Sequence, residues 1–306
     1  MKKKISMKMI QEAQKIFHHW FSPSPIEYCN ELAKLLETPT IFKCEHLLPS
    51  GSYKLRGAFY ALSTLKESER KQGVICFADH NFALSISQAA DLLNVEISII
   101  LCQTPSRYVK DKLDQTKANW SVESFKSFQE GEKHTKERAQ RENKLFLSSF
   151  EDLRLIAATG GIIAKEMMHQ IPQIKAVIAP IGKKELLSGL IFVLKKKFPD
   201  IKVYGCDYIP DKKEILDPFE KELIQEKNLF ADKEIDRHLD ETISINSKEL
   251  KEAHLWLFHH HHLLLEPSAA IAIAAAVKKN KVQKIEGPLG LILSGRSFEE
   301  DLLKDL

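Results

Sequence analysis

The chain has 306 residues, 43% of them apolar and 28% charged, which is core material for one large α/β domain or two domains of ordinary size. Its 45 basic residues nearly balance 42 acidic ones, for a formal charge of +3, so the basic excess of a dedicated nucleic-acid binder is absent. The five cysteines, Cys29, Cys44, Cys76, Cys102 and Cys206, are far apart, odd in number and form no Cys-x-x-Cys, which suggests neither a disulfide framework nor a zinc site and fits reduced thiols in a cytoplasm.

The start, MKKKISMKMI, carries lysines like a signal peptide, but IQEAQKIFHHW behind it is amphipathic rather than an apolar run. No window approaches the ~18 apolar residues of a membrane span, so a soluble, cytoplasmic protein without a membrane partner is expected. Short apolar runs then recur: TIFKC (40–44), GVICFA (73–78), VEISIILC (95–102), KLFLSS (144–149), KAVIAP (175–180), IKVYGC (201–206) and GLILS (290–294). Between them SISQAADLLN (85–94), RLIAATGGIIAKEMMHQI (154–171) and ELLSGLIFVLKKKF (185–198) have helical periodicity. That alternation predicts parallel βαβ units. The charged stretch 217–242 predicts a surface helix and loop, and IAIAAAV after Glu266 a packed helix. No internal repeat is visible.

In parallel sheets, ligands bind beyond the carboxyl ends of strands, where loops enter helix N-termini. The turns that follow the apolar runs are SGSYK (50–54), ADHNF (78–82), GKKELLSG (182–189) and SGRS (294–297). By itself Lys54 has four readings: a solvated helix-start lysine, a salt-bridge partner, a phosphate-binding charge, or a nucleophilic amine beside a cofactor. Asn81 and Ser294 taken singly are turn residues that cap helices.

Taken in order, these turns resemble the threonine dehydratase and serine racemase family of pyridoxal-phosphate (PLP) enzymes. SPI (24–26) resembles the family's T-P-L, and FKCEHLLPSGSYKLRGA its K-x-E-x-x-Q-P-T-G-S-F-K-x-R-G-A. ADHNFALSISQAADLLNV resembles S-A-G-N-H-A-Q-G and its helix, APIGKKELLSG the P-x-G-G-G-G-L-x-S-G loop, EPSAAIAIAAA the E-P-S-G-A segment, and LILSGRS the closing L-S-G-G-N. The resemblance runs nearly end to end. It implies fold type II, the tryptophan synthase β-subunit-like α/β architecture: two domains with open parallel sheets flanked by helices and a cofactor cleft between them. The large PLP-binding domain would comprise 1–54 and 151–306, and the small inserted domain 55–150.

Residue by residue, Lys54 takes the position of the lysine that carries PLP as a Schiff base, with Tyr53 packed beside the ring. Such a lysine must be partly neutral, and Arg56, two residues on, is a cation that disfavours its ammonium form. Asn81 matches the partner of the ring's phenolic oxygen. Ser294 matches the group facing the pyridine nitrogen, which leaves that nitrogen unprotonated and suits β-elimination. The family's four phosphate-cradling glycines become Gly182, Lys183, Lys184 and Glu185, followed by Leu186. Lys183 and Lys184 replace part of that cradle if they turn inward, at ~1.5–3 kcal/mol per charged hydrogen bond. Glu185 opposes a dianion, and a non-glycine residue forced to positive φ there is strained by roughly 1–3 kcal/mol.

On the substrate side the resemblance points to Ser52, Ala78, His80 and Glu266. Asp79 aligns with the serine that protonates the far face of the carbanion in racemases, and reads as an acid/base group or a helix N-cap. Phe82 fills core. Ala231, Asp232 and Lys233 echo the family's A-D-G, and Asp207 is assigned no metal. His259 to His262 form a run of four that points in all directions around a helix, so it is read as a surface or partly buried segment and again no metal is assigned.

The implied activity is that of a PLP-dependent ammonia-lyase (dehydratase) on threonine or serine, giving a 2-oxo acid, in a homodimer without nucleic-acid partners. The chain stops just after the closing motif, so no regulatory domain or end-product feedback is expected. Two alternatives stand beside it. The first is a degenerate member that binds PLP poorly or not at all and serves in binding or interaction. The second is a PLP racemase or lyase for another small amino acid.

Overall fold

Every run read as a strand pairs in one of two open sheets in the computed structural model, which describes residues 5–149, 151–210 and 229–297. The chain begins with α1 (Met7–Trp20), β1 (Ile26–Tyr28), α2 (Asn30–Leu36) and β2 (Thr40–Cys44), and a 3-10 turn at Glu45–Leu47 leads to α3 (Lys54–Ser63). There follow α4 (Glu67–Gln72), β3 (Val74–Ala78), α5 (His80–Leu93), β4 (Ile97–Leu101), α6 (Arg107–Leu113), β5 (Asn119–Val122), α7 (Phe128–Arg141) and β6 (Leu145–Phe146). The rest comprises α8 (Leu153–Ala158), α9 (Gly160–Gln170), β7 (Ala176–Pro180), α10 (Glu185–Lys197), β8 (Lys202–Tyr208), α11 (Leu229–His238), β9 (Glu241–Ile245), α12 (Ser247–His261), α13 (Pro267–Val282) and β10 (Leu289–Leu293).

The smaller sheet has the order β5-β4-β3-β6 and is wholly parallel. The larger runs β1-β2-β10-β7-β8-β9, parallel except for β1 against β2. β2, β3, β4, β7 and β10 are buried at every residue because helices cover both faces, which is why they read as apolar runs, interrupted by Thr40 and Lys43 in β2 and Ser98 in β4. On one face of the large sheet, α9 and α10 pack Ile163, Leu190 and Val193 with Val177 and Ile292; on the other, α2 and α13 pack Leu32, Ile271 and Ala275 with Phe42 and Leu291. In the small sheet's core, Leu55, Phe59 and Leu62 of α3 join Phe82 and Ile86 of α5 over Val74 and Cys76.

Four features differ from the sequence reading. β1, β5 and β9 were not expected; each is an edge strand with one open side, so none carries a full apolar run. The periodic stretch 154–171 is two helices, broken at Thr159, whose ψ of −93° leaves the helical region. Of the charged stretch at 217–242, residues 217–228 lie outside the described residues, while α11 and β9 occupy most of the remainder. Among the described residues no helix is long and apolar enough to cross a membrane.

The fourth difference concerns Arg56. It does not face Lys54, since residues two apart on a helix point to opposite sides. Its guanidinium is fully buried and bonds two carboxylates: Nε and Nη2 reach Glu45 at 2.8 and 2.9 Å, while Nη1 and Nη2 reach Glu166 at 2.7 and 2.8 Å. Lys43 Nζ donates to Glu166 at 2.6 Å, to Gln170 at 2.9 Å and to the Ser24 carbonyl at 2.7 Å. His18 Nε2 meets Glu166 at 2.8 Å. Burial alone would raise the Glu166 pKa, but Arg56 and Lys43 hold it down at about 2. This charge-balanced cluster ties α1, β2, α3 and α9 together beneath the first turn of α3.

Candidate active site

The turn ahead of Lys54 is stitched to the turn after β10. Tyr53 N donates to the Ser294 carbonyl at 3.1 Å, Arg296 N donates to the Gly51 carbonyl at 2.9 Å, and Ser52 bridges Gly295. β2, β10 and β7 are neighbours, so the chain leaving each arrives at the same end of the sheet, where β3 of the small sheet delivers Asp79 and Asn81. The resulting pocket is lined by Tyr53, Lys54, Asp79, Asn81, Pro180, Ile181, Gly182, Lys183, Glu266 and Ser268.

Three charges close across it. Lys54 Nζ and Lys183 Nζ each lie 2.6 Å from Asp79 Oδ2, and the Lys183 ammonium also sits 3.6 Å from the centroid of the Phe128 ring. Asp79 Oδ1 accepts from Phe82 N at 2.8 Å, capping α5. The aspartate is therefore both cap and counter-ion. Burial acts to raise its pKa, but Lys183 and Lys54 outweigh it and hold the carboxyl well below the usual range, so in this arrangement it is an ionised counter-ion that accepts hydrogen bonds and exchanges no proton. With these side chains meeting, the cavity has about 40 Å³, room for a few waters.

Glu266 is the hub of the opposite wall. Asn81 Nδ2 donates to its Oε2 at 2.6 Å, and Ser294 Oγ donates to Oε1 at 3.0 Å; the Ser268 hydroxyl also donates to Oε1 and lies 2.7 Å from Ser294 Oγ. Burial raises the Glu266 pKa, against the lowering effect of the Ser268 and Asn81 hydrogen bonds and the Lys54 charge. Gly295 permits this approach, because a Cβ there would lie 2.2 Å from Glu266 Oε2. Asn81 Oδ1 accepts from Ser297 Oγ at 2.6 Å. Ser268 and Ser297 were missed in the sequence, although Ser268 belongs to the same Glu-Pro-Ser triplet as Glu266.

The loop after β7 divides its residues. Gly182 has φ +42°, with nothing within 4 Å of where a Cβ would stand. Lys184, at φ +73°, occupies the left-handed region as the N-cap of α10, a conformation that strains a non-glycine residue by roughly 1–3 kcal/mol. Of the two lysines expected to turn inward only Lys183 does so; Lys184 Nζ is held 2.5 Å from Asp232 Oδ1. Glu185 is 2% exposed and does not line the pocket: it stands behind Tyr53, whose hydroxyl donates to its Oε1 at 2.7 Å, and its Oε2 has no hydrogen-bond partner among the described residues. Leu186 is core.

The residues expected at the substrate carboxylate are brought in only partly. Ser52, Ala78 and His80 do not line the pocket: Ser52 is spent on the turn and accepts from Lys54 N at 3.4 Å, Ala78 ends β3, and the His80 ring faces the Gln103 carbonyl at 3.5 Å. Phe82, as expected, is core.

A family model described as pyridoxal-phosphate dependent enzyme matches residues 19–295. The chain is 24% identical to the L-threonine ammonia-lyase of Thermotoga maritima, covering 98% of this chain and 77% of that protein. It is 26% identical to the serine racemase of Dictyostelium discoideum, covering 96% and 95%. The crystal structure of serine racemase from Dictyostelium discoideum superposes with a TM-score of 0.84 over 95% of this chain and 98% of that one, at 24% identity.

Proposed function

This chain belongs to the pyridoxal-phosphate dependent enzyme family, and we propose that it is an ammonia-lyase that converts threonine or serine to a 2-oxo acid with loss of ammonia. One curated relative is an ammonia-lyase and another a racemase. Both reactions remove the α-proton of an amino acid, and that shared step is the coarser reading. The observation that carries the proposal is Lys54, an amine at the first turn of α3 that opens into a pocket with Asn81 on its wall and Ser294 just behind Glu266.

The residues fit PLP, the family's cofactor, at both ends. Lys54 is the amine for its aldehyde, Asn81 and Ser294 are the polar groups for its ring, and Tyr53 is the apolar wall. For the phosphate there are Lys183, the open space at Gly182, and the N-terminus of α10, whose first-turn amides have no intrahelical acceptor. One group opposes the fit: the half-satisfied carboxylate of Glu185 at that same helix start. Glu185→Gln keeps the Tyr53 hydrogen bond and removes the negative charge. It is expected to tighten PLP about tenfold, ~1.4 kcal/mol, by fluorescence titration. An unchanged affinity would acquit Glu185.

Bound PLP supplies an electron sink for the pair left on the α-carbon. Lys54 Nζ takes the α-proton, and Asp79 steadies the ammonium it becomes. The same proton is then available to the departing β-hydroxyl, so the base is restored without a second titrating group. The expelled water is balanced by the water that hydrolyses the enamine product to 2-oxo acid and ammonia. Lys183 would hold the phosphate, and Glu266 orients Asn81 and Ser294.

The reading is tested by supplying PLP and measuring 2-oxo acid from threonine, serine and D-serine. Release of a 2-oxo acid from L-threonine or L-serine supports it; interconversion of serine enantiomers without oxo acid favours the racemase alternative. The degenerate-member reading rests on the 40 Å³ cavity and on Glu185. A protein that titrates no PLP bears it out and overturns ours. We also propose that the two sheets mark two domains, 1–54 with 151–306 and 55–150, and that the chain pairs as a homodimer.

A further inference from the structure

The run His259 to His262 ends α12, and its members part ways there. His259, His260 and His262 are exposed, while the side chain of His261 turns inward and is 9% exposed. Phe42 meets its ring edge-on at 5.3 Å and Trp256 packs at 5.4 Å, so the imidazole is held on two sides. Its Nε2 lies 3.3 Å from the thiol sulfur of Cys29, a residue 232 positions away in sequence that is buried between β1 and α2 and anchored by its N–H to the Thr40 carbonyl. The other ring nitrogen, Nδ1, lies 3.2 Å from Glu27 Oε1 on β1.

We propose that Cys29, His261 and Glu31 form a binding site for one zinc-like divalent cation, a site that shares no residue with the pocket of Lys54. Cys29 Sγ and His261 Nε2, 3.3 Å apart, already stand at about the 3.3–3.8 Å edge of a tetrahedron with bonds of about 2.0–2.3 Å, and one oxygen of the exposed Glu31 lies within 4.8 Å of both. The donor set of thiolate sulfur, imidazole nitrogen and carboxylate oxygen selects a borderline ion such as zinc over magnesium or calcium, which require oxygen.

Glu27 supplies the second, independent observation. A metal-bound histidine commonly donates its remaining N–H to a carboxylate, which fixes the tautomer and leaves the other nitrogen free to coordinate. Here the Glu27 carboxylate faces Nδ1, and Nε2 is the nitrogen that faces Cys29. Glu31 is exposed, so the fourth position of a tetrahedral ion opens to solvent and takes water. Binding displaces the Cys29 thiol proton to the buffer and forms a sulfur–metal bond, with no change of oxidation state. The ion would tie the end of α12 to β1 and α2, five residues ahead of Glu266.

Cobalt(II) titration of the full chain separates this site from the exposed histidines, since only a thiolate ligand gives an intense near-ultraviolet charge-transfer band. One cobalt per chain with that band and tetrahedral visible bands, displaced by zinc, is the expected result. Cys29→Ser and His261→Ala should each remove the charge-transfer band, and Glu27→Gln should weaken binding about 10–100-fold. The triple variant His259→Ala, His260→Ala, His262→Ala should keep the band. A band that persists in Cys29→Ser overturns the proposal, as does cobalt bound without a thiolate band, or binding lost only in the triple variant. Circular dichroism verifies the fold of each variant; should Cys29→Ser misfold, His261→Gln at the partly open ring decides by the same band.

Discussion

Lys54→Ala is expected to lower 2-oxo acid release by about 10²–10⁴-fold and to remove the yellow colour that PLP acquires when an amine of the protein holds it. The pocket has two amines, Lys54 and Lys183, both on Asp79 Oδ2. They differ in their surroundings. Lys183 is pinned over the Phe128 ring and belongs to the loop ahead of α10, whereas Lys54 stands at the turn joined by backbone hydrogen bonds to Ser294. Lys54→Arg is the companion variant, because it keeps a cation for Asp79 but offers no amine nucleophile. It should fold like the parent and be as inactive as Lys54→Ala. If Lys54→Ala retains activity within tenfold of the parent while Lys183→Ala does not, the lysines have been assigned the wrong way round.

Arg56→Met is expected to destabilise the fold by about 3–5 kcal/mol, the cost of leaving buried carboxylates without their cation. The guanidinium makes two-pronged contacts with both Glu45 and Glu166, and neither carboxylate has water to fall back on, since both are nearly inaccessible. The penalty comes from stranded charge and not from lost attraction. Adding Glu45→Gln to Arg56→Met, which leaves Glu166 paired with Lys43, should therefore return much of the lost stability. Urea unfolding measures both variants; a loss below about 1 kcal/mol for Arg56→Met would show that water reaches the cluster. Because the cluster lies beneath the first turn of α3, Arg56→Met should also loosen PLP binding without touching the pocket.

The sequence by itself determined the central strands and the order of the turns that carry the pocket. A strand buried on both faces is apolar at nearly every position, with the rare polar residue such as Lys43 of β2 paired inside, so β2, β3, β4, β7 and β10 announce themselves, and the polar turns behind them mark the ligand end of the sheets. Edge strands such as β1, β5 and β9 escape that logic, because one side of each is open. Lys54, Asn81, Lys183 and Glu266 could be singled out from the resemblance of their segments to the family's motifs, yet their partners could not. That Asp79 joins two lysines, that Glu266 gathers Asn81, Ser268 and Ser294, and that Arg56 turns away from Lys54 into Glu45 and Glu166 are outcomes of side-chain direction. Only the packed structure decides these, since burial compels each charge and polar group to find a partner wherever in the chain it lies. Cys29 and His261 are the extreme case: neither means anything in its own stretch of sequence, and the sheet edge brings them within 3.3 Å.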